Sequence, residues 1–129
     1  MMSKKRQIKH TNPDGSVVDV NIIGTDDLCI HYDVTIRRDV YIHTPCEIGE
    51  FTKIGDNAVL GPDVEIGEFT KIGSKVIIGK NTYIGDYVTI EDNVTVLGDA
   101  RIGDDVRLCN GIIVHSGSII GDSSVITAG

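Results

Sequence analysis

Three features of the chain point to an all-β protein, a parallel solenoid with eighteen residues to the coil. Every sixth residue from Ile30 through Ile126 is Ile, Leu or Val, with no insertion. At an apolar content of 40%, chance would do this roughly once in ten million trials. The nine residues from Glu47 to Gly55 recur unchanged from Glu65 to Gly73, three periods later. The residue four after each aliphatic, from Val34 to Ser124, is always small or β-branched. A six-residue period suits neither a helix nor a two-faced strand. It suits a short strand and a corner, repeated three times per coil.

Taken in chain order, residues 1–29 read as an N-terminal tail and capping segment, and residues 30–129 as the repeats. Lys4, Lys5, Arg6 and Lys9 are the only basic cluster, and such a run is most often a solvated tail. Residues 7–20 read as a hairpin turned at Asn12 to Gly15, where Asn, Pro, Asp and Gly all favour turns; its expected role is to cap the first coil. Val18 and Ile22 extend the aliphatic register backwards, with Gly24 as its weak link. Within the repeats, the residue three after the aliphatic is often one that tolerates a left-handed backbone: Asp33, Asp39, Asn57, Asp63, Asn81, Asn93, Asp99, Asp105, Gly111 and Gly117. The strands between these corners are rich in β-branched residues, as a stacked parallel sheet requires.

An aliphatic-Gly pair followed by four variable residues, as in Glu47 to Gly85, resembles the hexapeptide-repeat, left-handed parallel β-helix acyltransferase family. The resemblance covers residues 30–129. It alone implies the left hand of the coil, since the general preference for right-handed crossovers would have predicted the opposite. It identifies a fold more sharply than a function, because one fold hosts many activities.

Composition narrows the rest. A formal net charge of −7 argues against a nucleic-acid surface. No apolar stretch approaches a membrane span, and the N-terminus lacks the apolar core of a signal peptide, so a cytoplasmic protein with no membrane partner is expected. The three cysteines are an odd number without metal-ligand spacing: Cys46 falls on an inward position, Cys29 and Cys109 on outward ones. Neither a disulfide framework nor a metal site is expected.

Sorting outward residues by coil gives three unlike faces. One carries Glu47, Glu65, Tyr83 and Arg101 beside a row of glycines; the second carries Lys53, Lys71, Thr89 and Arg107. The third carries Tyr41, Val59, Ile77, Thr95 and Ile113, interleaved with His43, Gly61, Gly79, Leu97 and His115. It is apolar, and a stripe of this kind reads as a subunit interface. The resemblance implies that the interface builds a parallel homotrimer. Phe51, Phe69 and Tyr87 are one coil apart and should stack at the strand spacing of about 4.8 Å, either as a stabilising ladder or as a platform for a ring.

The resemblance also implies an acyltransferase that draws on acyl-coenzyme A. In such enzymes a histidine at a subunit boundary takes the proton of an attacking hydroxyl or amine, and backbone N–H groups stabilise the oxyanion. The expected acceptor is a sugar or nucleotide-linked small molecule. His115 replaces the usual glycine after the aliphatic on the apolar face, which makes it the candidate general base. His43, Tyr41, Asn110 and Ser116 are the candidate ligand contacts. His43 lies four coils from His115, about 19 Å at strand spacing, and His31 on another face, so a three-histidine zinc site within one chain is excluded. Two departures favour a second class, a non-catalytic homotrimer that binds or sequesters a small ligand or serves as a scaffold. Residues 30–129 have no loop excursion to cover an acceptor, and less than one coil follows His115 to support a coenzyme arm. The apolar final coil, with Ile113, Ile119 and Val125 outward, carries the expectation of an end-to-end hexamer or a covering segment.

Overall fold

The structure, a computed structural model, describes residues 5–127; Lys4 of the basic cluster lies outside them. The first strands are β1 (Lys5–Thr11), β2 (Val17–Ile23), β3 (Leu28–Ile30), β4 (Thr35–Ile36), β5 (Tyr41–His43) and β6 (Cys46–Ile48), and two- or three-residue strands follow at each period through Val125–Ile126. Three sheets of seven, six and six strands form the sides of a prism. The fold is all-β, a left-handed β-helix of about 6 turns. From β3 onward the strands pair in parallel eighteen residues apart, as Glu47 does with Glu65 and Lys53 with Lys71.

The core is the aliphatic register itself. Ile36, Ile42, Leu60, Ile84, Ile102 and Leu108 are fully buried, alternating with small inward residues such as Val40, Ala58, Val88 and Ala100. Small and large alternate because three walls converge on one narrow axis, where two large side chains at one level would collide. Thr52 and Thr70 are also buried, and their hydroxyls donate to the Gly67 and Gly85 carbonyls at 2.8 Å. An inward hydroxyl is tolerated because it is bonded.

Most corners turn through a left-handed residue. All ten expected corner residues have positive φ, and so do Phe51, Phe69, Lys75, Tyr87 and Ser123, which residue type alone did not suggest. Ring stacking accompanies three of these exceptions: Phe51 and Phe69 stack with centroids 4.7 Å apart, Phe69 and Tyr87 at 5.1 Å.

The hairpin forms as expected. β1 and β2 pair antiparallel, and β2 adds in parallel to β5, with Ile22 beside Ile42. Asn12 is buried and serves Ile36 twice, donating to its carbonyl at 3.0 Å and accepting its N–H at 2.8 Å. Its amide thus occupies the free edge of β4, whose backbone groups would otherwise lack partners. Gly24 is held at φ 122, and a Cβ there would meet the Thr44 hydroxyl at 2.5 Å. Ile22, not Gly24, takes the inward place beside Ile42, so the six-residue register does not run back through Gly24 as expected but is offset by two residues there. The chain passes close to Thr44 at this point, where glycine alone fits the approach.

Candidate functional site

The apolar face is the outward side of the seven-stranded sheet. Tyr41, Val59, Ile77, Thr95 and Ile113 follow one another along it. Ile77 is 46% exposed and Ile113 60%, with Tyr41 and Leu97 similarly open. Alternation places them there: Ile42, Leu60, Ile78, Val96 and Val114, their strand neighbours, fill the core.

Tyr41 and His43 share β5 and its outward side. His43 is half-buried, and its Nδ1 lies 3.1 Å from the Leu60 carbonyl oxygen. A carbonyl only accepts, so Nδ1 carries a proton, and whenever the ring is neutral its lone pair is at Nε2. No residue near His43 in the chain is an obvious partner to orient it; the adjacent coil supplies one from its backbone.

His115 is exposed on the same face, in the strand position four steps away. Its carbonyl accepts the Ser118 hydroxyl at 2.7 Å, but no group among the described residues holds its ring. Ser116 is beside it and donates to the Leu97 carbonyl at 3.3 Å. Asn110 is not brought to this group. It sits at the Lys53–Lys71–Arg107 face, where its N–H donates to Glu91 at 3.1 Å. Arg107 binds the same carboxylate through Nε at 2.9 Å. The Arg107 guanidinium, then the Asn110 N–H, hold the Glu91 carboxyl below the usual carboxylate range. The groove along this face, about 720 Å³, is lined by Arg37, Lys53, Lys71, Glu91 and Arg107 among others. The expected contacts therefore divide into Tyr41 with His43, His115 with Ser116, and Asn110 apart.

On the remaining face the structure assembles a group that sequence reasoning missed. His31 Nε2 lies 2.9 Å from Glu47 Oε2 and 3.5 Å from Cys29 Sγ. The signal was present as the eighteen-residue separation of Cys29 and Glu47, one coil, with His31 two residues beyond Cys29. Tyr83 follows Glu65 along this face; burial, and then the Asp104, Asp86 and Glu65 carboxylates, raise its phenol above its ordinary range. Cys46 takes no part: it is buried, and desolvation followed by the Glu47 charge pushes its thiol up to about 12.

Residues 45–80 and 81–111 match the family described as bacterial transferase hexapeptide (six repeats). No curated protein matches in sequence. Among solved structures, the acetyltransferase domain of PglB from Neisseria gonorrhoeae FA1090 superposes with a TM-score of 0.68 at 18% identity, covering 73% of this chain and 49% of that one. A mutant perosamine N-acetyltransferase from Caulobacter crescentus, solved with CoA and GDP-perosamine, gives 0.67 at 18% identity, covering 81% and 51%. A hexapeptide transferase family protein from Anaplasma phagocytophilum gives 0.58 at 23% identity, covering 86% and 74%. The chain thus spans about half the length of the first two. At these identities the likeness is one of fold. No helix of the described residues is long and apolar enough to cross a membrane.

Proposed function

The chain belongs to the bacterial transferase hexapeptide family, and on that premise we propose that it is an acyltransferase, moving an acyl group from coenzyme A to a hydroxyl or amine of a sugar or nucleotide-linked small molecule. The acceptor's lone pair attacks the thioester carbonyl while a histidine takes its proton. The tetrahedral intermediate then collapses, the C–S bond breaks, and the coenzyme leaves as a thiolate that recovers the proton from the imidazolium.

The observation that carries the choice of base is the hydrogen bond from His43 Nδ1 to Leu60. It holds the ring and selects the tautomer whose neutral form keeps its lone pair at Nε2, as a general base needs. His115, the candidate from the repeat pattern, is the second reading, favoured by its exposure on the same apolar face. Tyr41 next to His43, or Ser116 next to His115, would line the acceptor site in the respective case. In this proposal the apolar face packs against further copies to make a homotrimer, so the base stands at a subunit boundary in the cytoplasm. Burying its large side chains would contribute on the order of 10 kcal/mol before association costs.

Calorimetry with acetyl-coenzyme A tests the donor, and transfer to a panel of amino sugars and nucleotide-linked sugars tests the reaction. His43→Ala is expected to lower turnover by about 100-fold or more while coenzyme binding persists, with His115→Ala near the parent. The reverse pattern would assign the base to His115. A parent that does not bind the coenzyme would overturn the acyl-transfer reading in favour of ligand binding without catalysis.

A further inference from the structure

Cys29, His31 and Glu47 place a sulfur, an imidazole nitrogen and a carboxylate oxygen within 4.8 Å of one another, on the face opposite in character to the apolar one. The register of the coil creates the group. Cys29 is the outward residue of β3 and pairs with Glu47, the outward residue of β6. His31 lies two residues past Cys29 and so projects to the same side; its N–H, bonded to the Ile48 carbonyl at 3.0 Å, continues the ladder and holds its backbone in place.

The spacing of the donor atoms is informative. In a tetrahedral site with metal–sulfur bonds of about 2.3 Å and metal–nitrogen or metal–oxygen bonds of about 2.0–2.1 Å, adjacent donors stand roughly 3.3–3.6 Å apart. Cys29 Sγ and His31 Nε2 are already 3.5 Å apart. His31 Nε2 and Glu47 Oε2 are at 2.9 Å and would open by about half an ångström. A long, half-exposed glutamate side chain achieves that by small torsional changes. The bland alternative is a surface pair in which His31 Nε2–H donates to Glu47 with a thiol nearby, but such a pair makes no use of Sγ. The other surface pairs of the described residues, Arg6 with Asp26, Lys9 with Asp19 and Arg107 with Glu91, rest on permanent cations.

The geometry points to a binding site for one divalent transition-metal cation of the zinc class, held by Cys29 Sγ, His31 Nε2 and Glu47, and clasping the first coil to the second. Thiolate and imidazole disfavour the hard cations magnesium and calcium, which take oxygen ligands. Three protein ligands leave a fourth position for water or for an added ligand. Coordination replaces the thiol proton, so each metal bound by Cys29–SH releases a proton to solvent. The site does not depend on the acyl-transfer reading and is tested apart from it.

The experiment uses the full chain without an affinity tag, stripped with a chelator and desalted. It is titrated with cobalt(II), whose thiolate complexes absorb in the near ultraviolet, and then displaced with zinc(II). The expected result is one metal per chain, a thiolate-to-cobalt band, and a zinc-binding heat that changes with the ionisation enthalpy of the buffer. Cys29→Ser should abolish the band. Cys29→Ser, His31→Gln and Glu47→Gln should each weaken zinc by more than about tenfold, the least expected even of outer-shell partners. Cys109→Ser should leave band and affinity unchanged. All these positions are at least partly exposed, so the variants should fold, which circular dichroism checks. A parent without the band, a band that survives in Cys29→Ser, or zinc affinity indifferent to His31→Gln and Glu47→Gln would overturn the assignment.

Discussion

The carboxylate of Asp86 lies over Gly67 and accepts the N–H of the next residue, Glu68, at 2.8 Å. A Cβ at Gly67 would overlap that carboxylate and come within 2.6 Å of the Gly85 backbone. Asp104 stands over Gly85 in the same way and accepts the Asp86 N–H at 2.8 Å, and Asp122 stands over Gly103. These glycines have ordinary φ values. Close stacking of the backbone and the aspartate ladder, rather than conformational freedom, require them.

Gly67→Ala should therefore cost about 1–3 kcal/mol, as overpacking does, despite alanine's lower unfolded-state entropy. Urea unfolding measures it. An unchanged midpoint would mean that the coils can separate locally at no cost.

Phe69 sets two effects against each other. Its left-handed backbone at φ 55 costs about 1–2 kcal/mol, while stacking on Phe51 and Tyr87 returns about 0.5–1.5 kcal/mol for each favourable pair. Phe69→Ala keeps the strain and loses both stacks, so it should be the least stable variant. Phe69→Asn and Phe69→Gly relieve the strain and should lie between alanine and the parent. Thermal melts that rank alanine at or above asparagine would show that the left-handed backbone costs nothing here, and an asparagine variant at or above the parent would show that the strain outweighs the stacks.

Cys46 links stability to alkalinity. Burial raises its thiol from 9.0 to about 12, so the folded state holds a proton that the unfolded state releases. The associated stability is complete below pH 9 and is lost as pH rises towards 12. Over that window the parent should lose up to about 1.4 kcal/mol per pH unit more than Cys46→Val, read from denaturant titrations at stepped pH. The same shift leaves only about one part in ten thousand as thiolate at pH 8. A thiol reagent should therefore label Cys29 and Cys109 but reach Cys46 only on unfolding. Equal alkaline slopes in the two proteins would refute the linkage.

The proposed homotrimer gives a contrast between faces. Ile77→Lys puts a charge in the centre of the apolar stripe and should dissociate the oligomer, whereas Lys71→Glu, on the cationic face, should leave its mass unchanged. Light scattering over a dilution series decides. Since both residues are exposed in the single chain, dissociation would not reflect failed folding. A monomeric parent would remove the interface from the proposal.

Much of the fold was legible because inside and outside are decided residue by residue. An inward position must be apolar or internally bonded, so Ile30 to Ile126 record the coil period directly, and outward residues sort by simple counting. The Phe51–Phe69–Tyr87 column followed from the same arithmetic, and the Asn12–Gly15 turn from its run of turn-favouring residues. The candidate site was less legible. Asn110 and His115 are near in sequence, but the corner between them turns Asn110 to the cationic face and His115 to the apolar one, and residue type does not announce such a separation.

The period, the three faces and the inward register are written in the residue order, since these depend on hydrophobicity and side-chain size repeating every six residues. Which groups meet between coils depends on how the coils stack. The orientation of His43 comes from a backbone carbonyl in the next coil, and a main-chain group has no letter in the sequence. The requirement for Gly67 comes from the approach of Asp86 and the Gly85 backbone. The meeting of Cys29, His31 and Glu47 combines a register with side-chain torsions. Periodicity specifies where a residue stands on the coil; the direction its polar atoms take is settled by hydrogen bonds and contacts that exist only once the coils have stacked.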